Sequence, residues 1–193
     1  MNLMRTRLFT GLLVVTVTAL VGCPVPGNIV TFKDKNLETA IRAQLHKPFG
    51  FITTDDMLSL QVLDARGFGI VNLSGLELAT NLQTLILTDN SVSDLRPLTN
   101  LTVLQSLELD NNQVFDLTPL QGLIGLRALS LCGNKVVNLG PLVVNANAGG
   151  LGPNDQLVVD CAIKDTDPFN LATLLAANLD IVCCDGTNLS SSK

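Results

Sequence analysis

Cut every 22 residues, positions 82–142 read LQTLILTDNSVSDLRPLTNLTV, LQSLELDNNQVFDLTPLQGLIG and LRALSLCGNKVVNLGPL. Each segment carries Leu-x-x-Leu-x-Leu-x-x-Asn, a β-branched residue, and then Asp/Asn-Leu-x-Pro-Leu. The aligned positions are Leu85/Leu107/Leu129, Leu87/Leu109/Leu131, Asn90/Asn112/Asn134, Val92/Val114/Val136, Leu95/Leu117/Leu139 and Pro97/Pro119/Pro141. In Leu-x-Leu the side chains alternate, so both leucines point inward and the residue between them faces out. One short strand per unit follows, with successive strands stacked in parallel.

A 22-residue period with this pattern is the signature of a leucine-rich repeat solenoid, an α/β coil in which each turn is covered by its neighbours. The Asn after each strand can bond backbone groups as the chain bends, so Asn90, Asn112 and Asn134 are expected to form a ladder. Pro97, Pro119 and Pro141 preset φ for a tight turn or a 3₁₀ segment on the convex side. Upstream, Leu60, Leu63, Ala65, Ile70, Leu73 and Leu76 keep the register, with Phe68 in place of the Asn and Gly75 in place of the Pro. Downstream, Leu157 and Val159 repeat the strand pair after a spacing of 28 from Leu129 and Leu131. The extra residues fall in the Gly/Asn-rich stretch Asn145–Asp155, which reads as a convex loop. The pattern predicts about five turns, three of them regular.

Both ends read as caps. In Asp34–His46 the apolar Leu37, Ala40, Ile41 and Leu45 share a helical face, with Asp34 as N-cap and Pro48 as stop. Thr53 and Asp56 form a capping-box pattern. Near the other end, Asp167-Pro168 predicts an N-cap followed by proline at the first helical position. Leu171, Leu174 and Leu175 supply that helix's stripe, and Leu179–Cys183 reads as a last strand.

The first residues read as an address. Arg5 and Arg7 precede an apolar run, Leu8–Val21, too short for a spanning helix of about 20 residues. The run ends in Leu20-Val21-Gly22-Cys23, which resembles the lipobox of bacterial lipoproteins. That resemblance implies cleavage before Cys23 and diacylglyceryl attachment to it; the other reading is an ordinary cleaved signal with Cys23 as an incidental thiol. No Asp follows Cys23, so outer membrane or cell surface is the expected destination. The chain thus divides into a signal at 1–22, a lipidated tether at 23–29, an N-terminal helical cap at 30–59, repeats at 60–163, a C-terminal cap at 164–184 and a flexible tail at 185–193.

The 193 residues are one domain's worth of chain, 47% hydrophobic and 15% charged, enough for a continuous core. Loss of residues 1–22 leaves 10 basic and 17 acidic side chains, net −7. Nucleic acid and anionic lipid headgroups are poor partners for such a surface. Cys132, Cys161, Cys183 and Cys184 remain besides Cys23, an even number in an oxidising compartment. Three pairings are open. A bridge from Cys161 to Cys183 or Cys184 would clamp the C-terminal cap to the last turn, leaving the other partner for Cys132. A metal site is the rival reading, but the sole histidine, His46, lies far away on the cap helix. No metal or other cofactor is expected.

Outward strand positions form columns on the concave sheet. The first is Val62, Thr84, Ser106, Ala128 and Gln156. The second is Asp64, Ile86, Glu108, Ser130 and Val158, and the third Arg66, Thr88, Asp110, Cys132 and Asp160. Small and acidic residues dominate and none is aromatic, so the face reads as a weak or narrow interface. The binding candidates are Asp64, Arg66, Thr84, Ile86, Thr88, Asp89, Ser106, Glu108 and Asp110. Asp64, Asp89, Glu108 and Asp110 suit a basic partner.

Asn36-Leu37-Glu38-x-Ala40-Ile41-Arg42, Gly50-x-Ile52-Thr53, Gly69-Ile70-x-x-Leu73-x-Gly75-Leu76-Glu77 and Ala79-Thr80-Asn81-Leu82-Gln83 resemble the cap and first turns of internalin-like bacterial leucine-rich repeat proteins. The likeness covers roughly residues 30–184. It implies a secreted or surface-held scaffold that binds other macromolecules through its sheet. Internalins that engage host receptors have more repeats and aromatic residues on the concave face, both missing here, and no immunoglobulin-like domain or wall-sorting motif follows. The expected function is non-catalytic recognition of a protein or other macromolecule by a monomeric, lipid-anchored envelope protein. A structural or assembly role is the alternative. For an enzyme there is no nucleophile–base pair, phosphate loop or metal cluster in the sequence.

Overall fold

A computed structural model describes residues 28–189, so the signal segment, Cys23 and the last four residues lie outside it. Six strands form one sheet in sequence order: β1 (Val62–Asp64), β2 (Thr84–Ile86), β3 (Ser106–Glu108), β4 (Ala128–Ser130), β5 (Gln156–Val159) and β6 (Asp180–Cys183). Every neighbouring pair is parallel. Leu63, Leu85, Leu107, Leu129, Leu157 and Ile181 stand in register across the whole sheet, and all are buried. This is an α/β leucine-rich repeat solenoid, as the period predicts.

On the convex side the 22-residue turns close through short 3₁₀ segments, Leu76–Leu78, Arg96–Leu98 and Thr118–Leu120. The longer turn behaves differently. Its extra residues permit an α-helix, α3 (Gly140–Asn147), with Pro141 in the first turn. The expected loop over Asn145–Asp155 is therefore corrected in part: it begins inside a helix. Asn145 is fully buried there. Its amide donates to Leu120 O and Leu123 O at 3.0 Å each and accepts from Leu151 N at 2.8 Å, closing the widened turn.

The asparagine ladder has a direction. Asn112 Nδ2 donates to Leu109 O of its own turn at 3.0 Å and to Leu87 O of the preceding one at 2.8 Å. Its Oδ1 accepts from Val92 N, also in the preceding turn, at 2.9 Å. Asn90 and Asn134 repeat the arrangement. Each asparagine thus closes the turn before it. Asn90 serves Ala65 O and Ile70 N of the first turn, which explains why Phe68 can stand there without an amide. Gly75, where the other turns carry proline, has φ +103°, and a Cβ there would strike the Phe32 ring.

The N-terminal cap consists of α1 (Lys35–Gln44) and α2 (Thr54–Ser59). α1 buries Leu37, Ala40 and Ile41, and α2 begins at the expected Thr53–Asp56 capping box. His46 is corrected from the helix to the exposed residue just beyond it, at φ 51°. Asp34 does more than cap. One carboxylate oxygen accepts from Asn36 N and Leu37 N, and the other from Val71 N at 2.7 Å and Asn72 N at 3.0 Å. Asn36 Nδ2 adds a bond to Gly69 O. One side chain thereby starts the cap helix and fastens it to the first turn.

At the far end, α4 (Ile163–Thr166) and α5 (Pro168–Ala176) precede β6. Asp167 stands at the N-cap position of α5 without capping its backbone. Its carboxylate instead accepts from Leu139 N at 2.6 Å and from Asn170 Nδ2, joining cap to repeat. Disulfides Cys132–Cys184 and Cys161–Cys183 tie β6 to the turns after β4 and β5. With sequence separations of 52 and 22, loop-closure entropy assigns them about 4 and 3 kcal/mol. Part of the expected flexible tail is also corrected: Leu189 N bonds Ile181 O, and Leu189 is buried against the edge strand.

Two stability measurements follow. Asn112→Ala orphans the buried Val92 N–H and takes one of two donors from Leu87 O and Leu109 O, which keep Asn90 Nδ2 and Asn134 Nδ2, so urea unfolding is expected to lose about 2 kcal/mol; a loss under about 1 would mean that water closes the turn equally well. For Asp34, burial opposes ionisation, but the N–H donors of Val71, Asn72, Asn36 and Leu37 outweigh it and hold the carboxyl below its ordinary value. Its contribution is therefore present above the unfolded pKa near 4 and lost as pH falls through the lower folded value. Asp34→Asn is expected to destabilise by about 2 kcal/mol at pH 7, the gap narrowing below about pH 4. An equal gap at all pH values would contradict the charge-assisted role.

Candidate functional site: the concave sheet

Strand alternation places the three predicted columns on one face, and strand pairing aligns the first two row by row. Thr84 pairs Ser106, which pairs Ala128 and then Gln156; Ile86 pairs Glu108, which pairs Ser130 and then Val158. Asp180 and Val182 of β6 extend these rows.

Most of the carboxylates on or beside this face already have work within the fold. Asp64 holds Arg66 in an exposed ion pair, Nε to Oδ1 3.0 Å. The Asp64 carboxylate, helped by Glu108 and Asp89, keeps the Arg66 guanidinium still more firmly protonated than usual. Asp110 accepts from Ser130 Oγ at 2.5 Å and from Cys132 N at 2.7 Å, binding the exit of β3 to the next turn. Asp160 accepts from Gly133 N of the preceding turn, at 3.4 Å.

Asp89 is a backbone residue first. It has φ +59°, and its 22-residue equivalents Gly67, Asn111 and Gly133 have φ +69°, +54° and +65°. Glycine, asparagine and aspartate are the residues that tolerate this left-handed conformation. The sequence signal for this bend is the Gly/Asp/Asn/Gly column at positions 67, 89, 111 and 133. Asn111 Nδ2 donates to Asp89 Oδ1 at 2.7 Å, linking two members of that column.

Glu108 is different. Half-buried at the centre of the sheet, it makes no hydrogen bond or ion pair with any described residue. It borders a depression of about 280 Å³ whose lining includes Ser106, Asp110, Ala128, Ser130 and Gln156. Of the predicted candidates the depression gathers Ser106, Glu108 and Asp110. Asp64, Arg66, Thr84, Ile86, Thr88 and Asp89 lie outside its lining. Leu107, Ala128, Leu129, Ser130, Gln156 and Val158 complete the lining and are not among the predicted candidates. Their signal was size: Ala128 and Ser130 are small where a neighbouring carboxylate needs room. Thr88 carries the one buried side-chain polar atom, Oγ1, that lacks a hydrogen-bond partner among the described residues.

Other chemistry is sparse. Among the described residues, Cys161, Cys183 and Asp185 alone are clustered tightly enough to suggest metal ligation, and the two sulfurs are bonded to each other. No described helix is long and apolar enough to cross a membrane. Cys23, the expected lipidation site, lies outside the described residues.

A parallel sheet of one short strand per turn, an asparagine ladder and two dissimilar caps define a capped leucine-rich repeat protein. Its fold is internalin-like. It is similar to internalin InlF of Listeria monocytogenes at 27% identity and TM-score 0.64, over 79% of this chain and 43% of that one. It is also similar to the functional domain of InlJ from Listeria monocytogenes, a domain described as including a cysteine ladder. There the identity is 22% and the TM-score 0.61, over 79% of this chain and 36% of that one. The chain thus spans less than half the length of either internalin chain. No protein-family model matches it, and no curated protein does.

Proposed function

We propose that this protein is a non-catalytic recognition module of the bacterial envelope, anchored by lipid at Cys23. It binds a protein or other macromolecule through the concave sheet. The observation that carries this reading is Glu108, a carboxylate with no hydrogen bond or ion pair among the described residues, beside a depression left by small neighbours. Carboxylates held in the fold's own hydrogen bonds are poor acceptors for a second partner; Glu108 is available. A lysine or arginine side chain of a basic protein segment fits both the charge and the narrow width. The internalin-like leucine-rich repeat fold supports a protein-binding role, and the Leu20-Val21-Gly22-Cys23 motif supports the anchor. Stable attachment requires more than one acyl chain, because each buried CH₂ contributes only about 0.8 kcal/mol.

A structural or assembly role is the second reading. It is favoured by Asp64, Asp89 and Asp110, whose carboxylates serve the protein's own architecture. Crosslinking and pull-down with the mature protein separate the two. Glu108→Lys is expected to abolish capture of the concave-face partner at least about tenfold, the scale of a lost buried charge contact, while the thermal midpoint stays near that of the unaltered protein. An unchanged partner set rejects concave recognition, and envelope defects on deletion that Glu108→Lys rescues in full would favour the architectural role. For the anchor, Cys23→Ser is expected to move the protein from the membrane fraction to the soluble one. Retention in membranes would exclude lipid as the tether.

A further inference from the structure

The N-terminal cap carries an apolar surface that the repeats do not use. Phe49 is 86% exposed and Phe51 60%, on the segment between the two cap helices. Phe51 lines a depression of about 600 Å³ together with Ile29, Val30, Phe32, Ile52 and the Glu38–Arg42 ion pair, whose charges cancel. The incoming chain is fixed at this place. Ile29 makes an antiparallel bridge with Thr53, and Val30 N donates to Ile52 O at 2.8 Å. Cys23 lies six residues before Ile29, so covalent reach keeps its sulfur within about 20 Å of that bridge.

Charge marks the same end. The cap carries Lys33, Lys35, Arg42 and Lys47 against Asp34, Glu38, Asp55 and Asp56, so it is neutral. The whole net charge of −7 therefore belongs to residues 60–193. Lys33 and Lys35 are exposed on either side of Asp34, next to Phe32. Among the exposed aromatics outside the cap, Phe115 shares its depression with Asp94 and Asp116 as well as Arg96, and Phe169 follows Asp167 and Pro168. An anionic bilayer repels those surfaces and tolerates the cap.

We propose that the aromatic edge of the cap, centred on Phe49 and Phe51, is a lipid-bilayer contact that seats the anchored protein on the membrane by its N-terminal end. The inference rests on the reading of Cys23 as the lipid anchor. Acyl chains so close to the Phe51 depression hold these rings at the bilayer at high effective concentration. Each ring then needs to add little affinity of its own. The solenoid axis is carried away from the membrane, and the concave sheet stays open to solvent.

The chain has no Trp and no Tyr, so one introduced Trp is a clean reporter. The mature protein, its Cys23 thiol coupled to a maleimide phospholipid, is placed on vesicles of phosphatidylcholine and phosphatidylglycerol with brominated acyl chains. The four other cysteines are held in disulfides. Phe49→Trp and Phe51→Trp emission is expected to be quenched about twofold or more, and that of Phe115→Trp and Phe169→Trp to be unchanged. Equal, weak quenching at all four positions overturns the proposal. So does emission from Phe51→Trp that is already blue-shifted without vesicles: a concentration-dependent shift marks a second copy, a constant one the protein's own upstream residues. Chemical coupling makes this test independent of natural acylation. An unacylated Cys23 in the intact mass of the native protein overturns the anchor reading by itself, and with it the proposed seating.

Discussion

A single 22-residue coil of this chain has more inward leucine than it can cover, and that deficit organises the molecule. Burying one leucine contributes about 1.5–3 kcal/mol, but only when both neighbouring turns are present. The row from Leu63 to Ile181 is the result, six side chains deep and sealed along its length. Any coil at the end of such a stack would expose its leucines to water. The two caps answer that problem with different chemistry. The N-terminal cap is joined through Asp34 and Asn36, by hydrogen bonds to the first turn. The C-terminal cap is joined through Asp167 and two disulfides.

The same dependence between neighbours runs through the backbone polar groups. Each asparagine of the ladder satisfies a carbonyl and an amide of the turn before it, so cooperativity is built in hydrogen bonds as well as in apolar contact. Where the period lengthens, a different residue takes over. Asn145 is buried on the convex side and closes the widened turn around α3. The irregular repeat therefore interrupts neither the sheet nor the core.

The concave face shows how little of an acidic surface is free to bind. Asp110 secures the next turn, Asp89 adopts the left-handed bend, and Asp64 neutralises Arg66. Glu108 remains, beside the space left by Ala128 and Ser130. The proposed recognition and the observed architecture thus draw on the same residue types along one sheet, and only their hydrogen-bond partners distinguish them. The exposed rings of the cap are at a separate end of the solenoid, so the proposed membrane contact and the proposed partner capture need not compete.

Periodicity made most of the fold legible. Leu-x-Leu spacing defined which side chains face inward, the recurring asparagines announced the ladder, and Thr53 with Asp56 marked the start of α2, because these are local rules acting within one turn. The sequence also narrowed the cysteines to three pairings. The choice of Cys132–Cys184 and Cys161–Cys183 was tertiary, since it depends on how far β6 lies from each preceding turn. Tertiary structure likewise decided that Asp34 reaches Val71 and Asn72, that Asp167 serves Leu139 instead of its own helix, and that Asn145 lies inside. A side chain's second hydrogen bond is set by which turn stacks beside it, and no spacing along the chain encodes that distance.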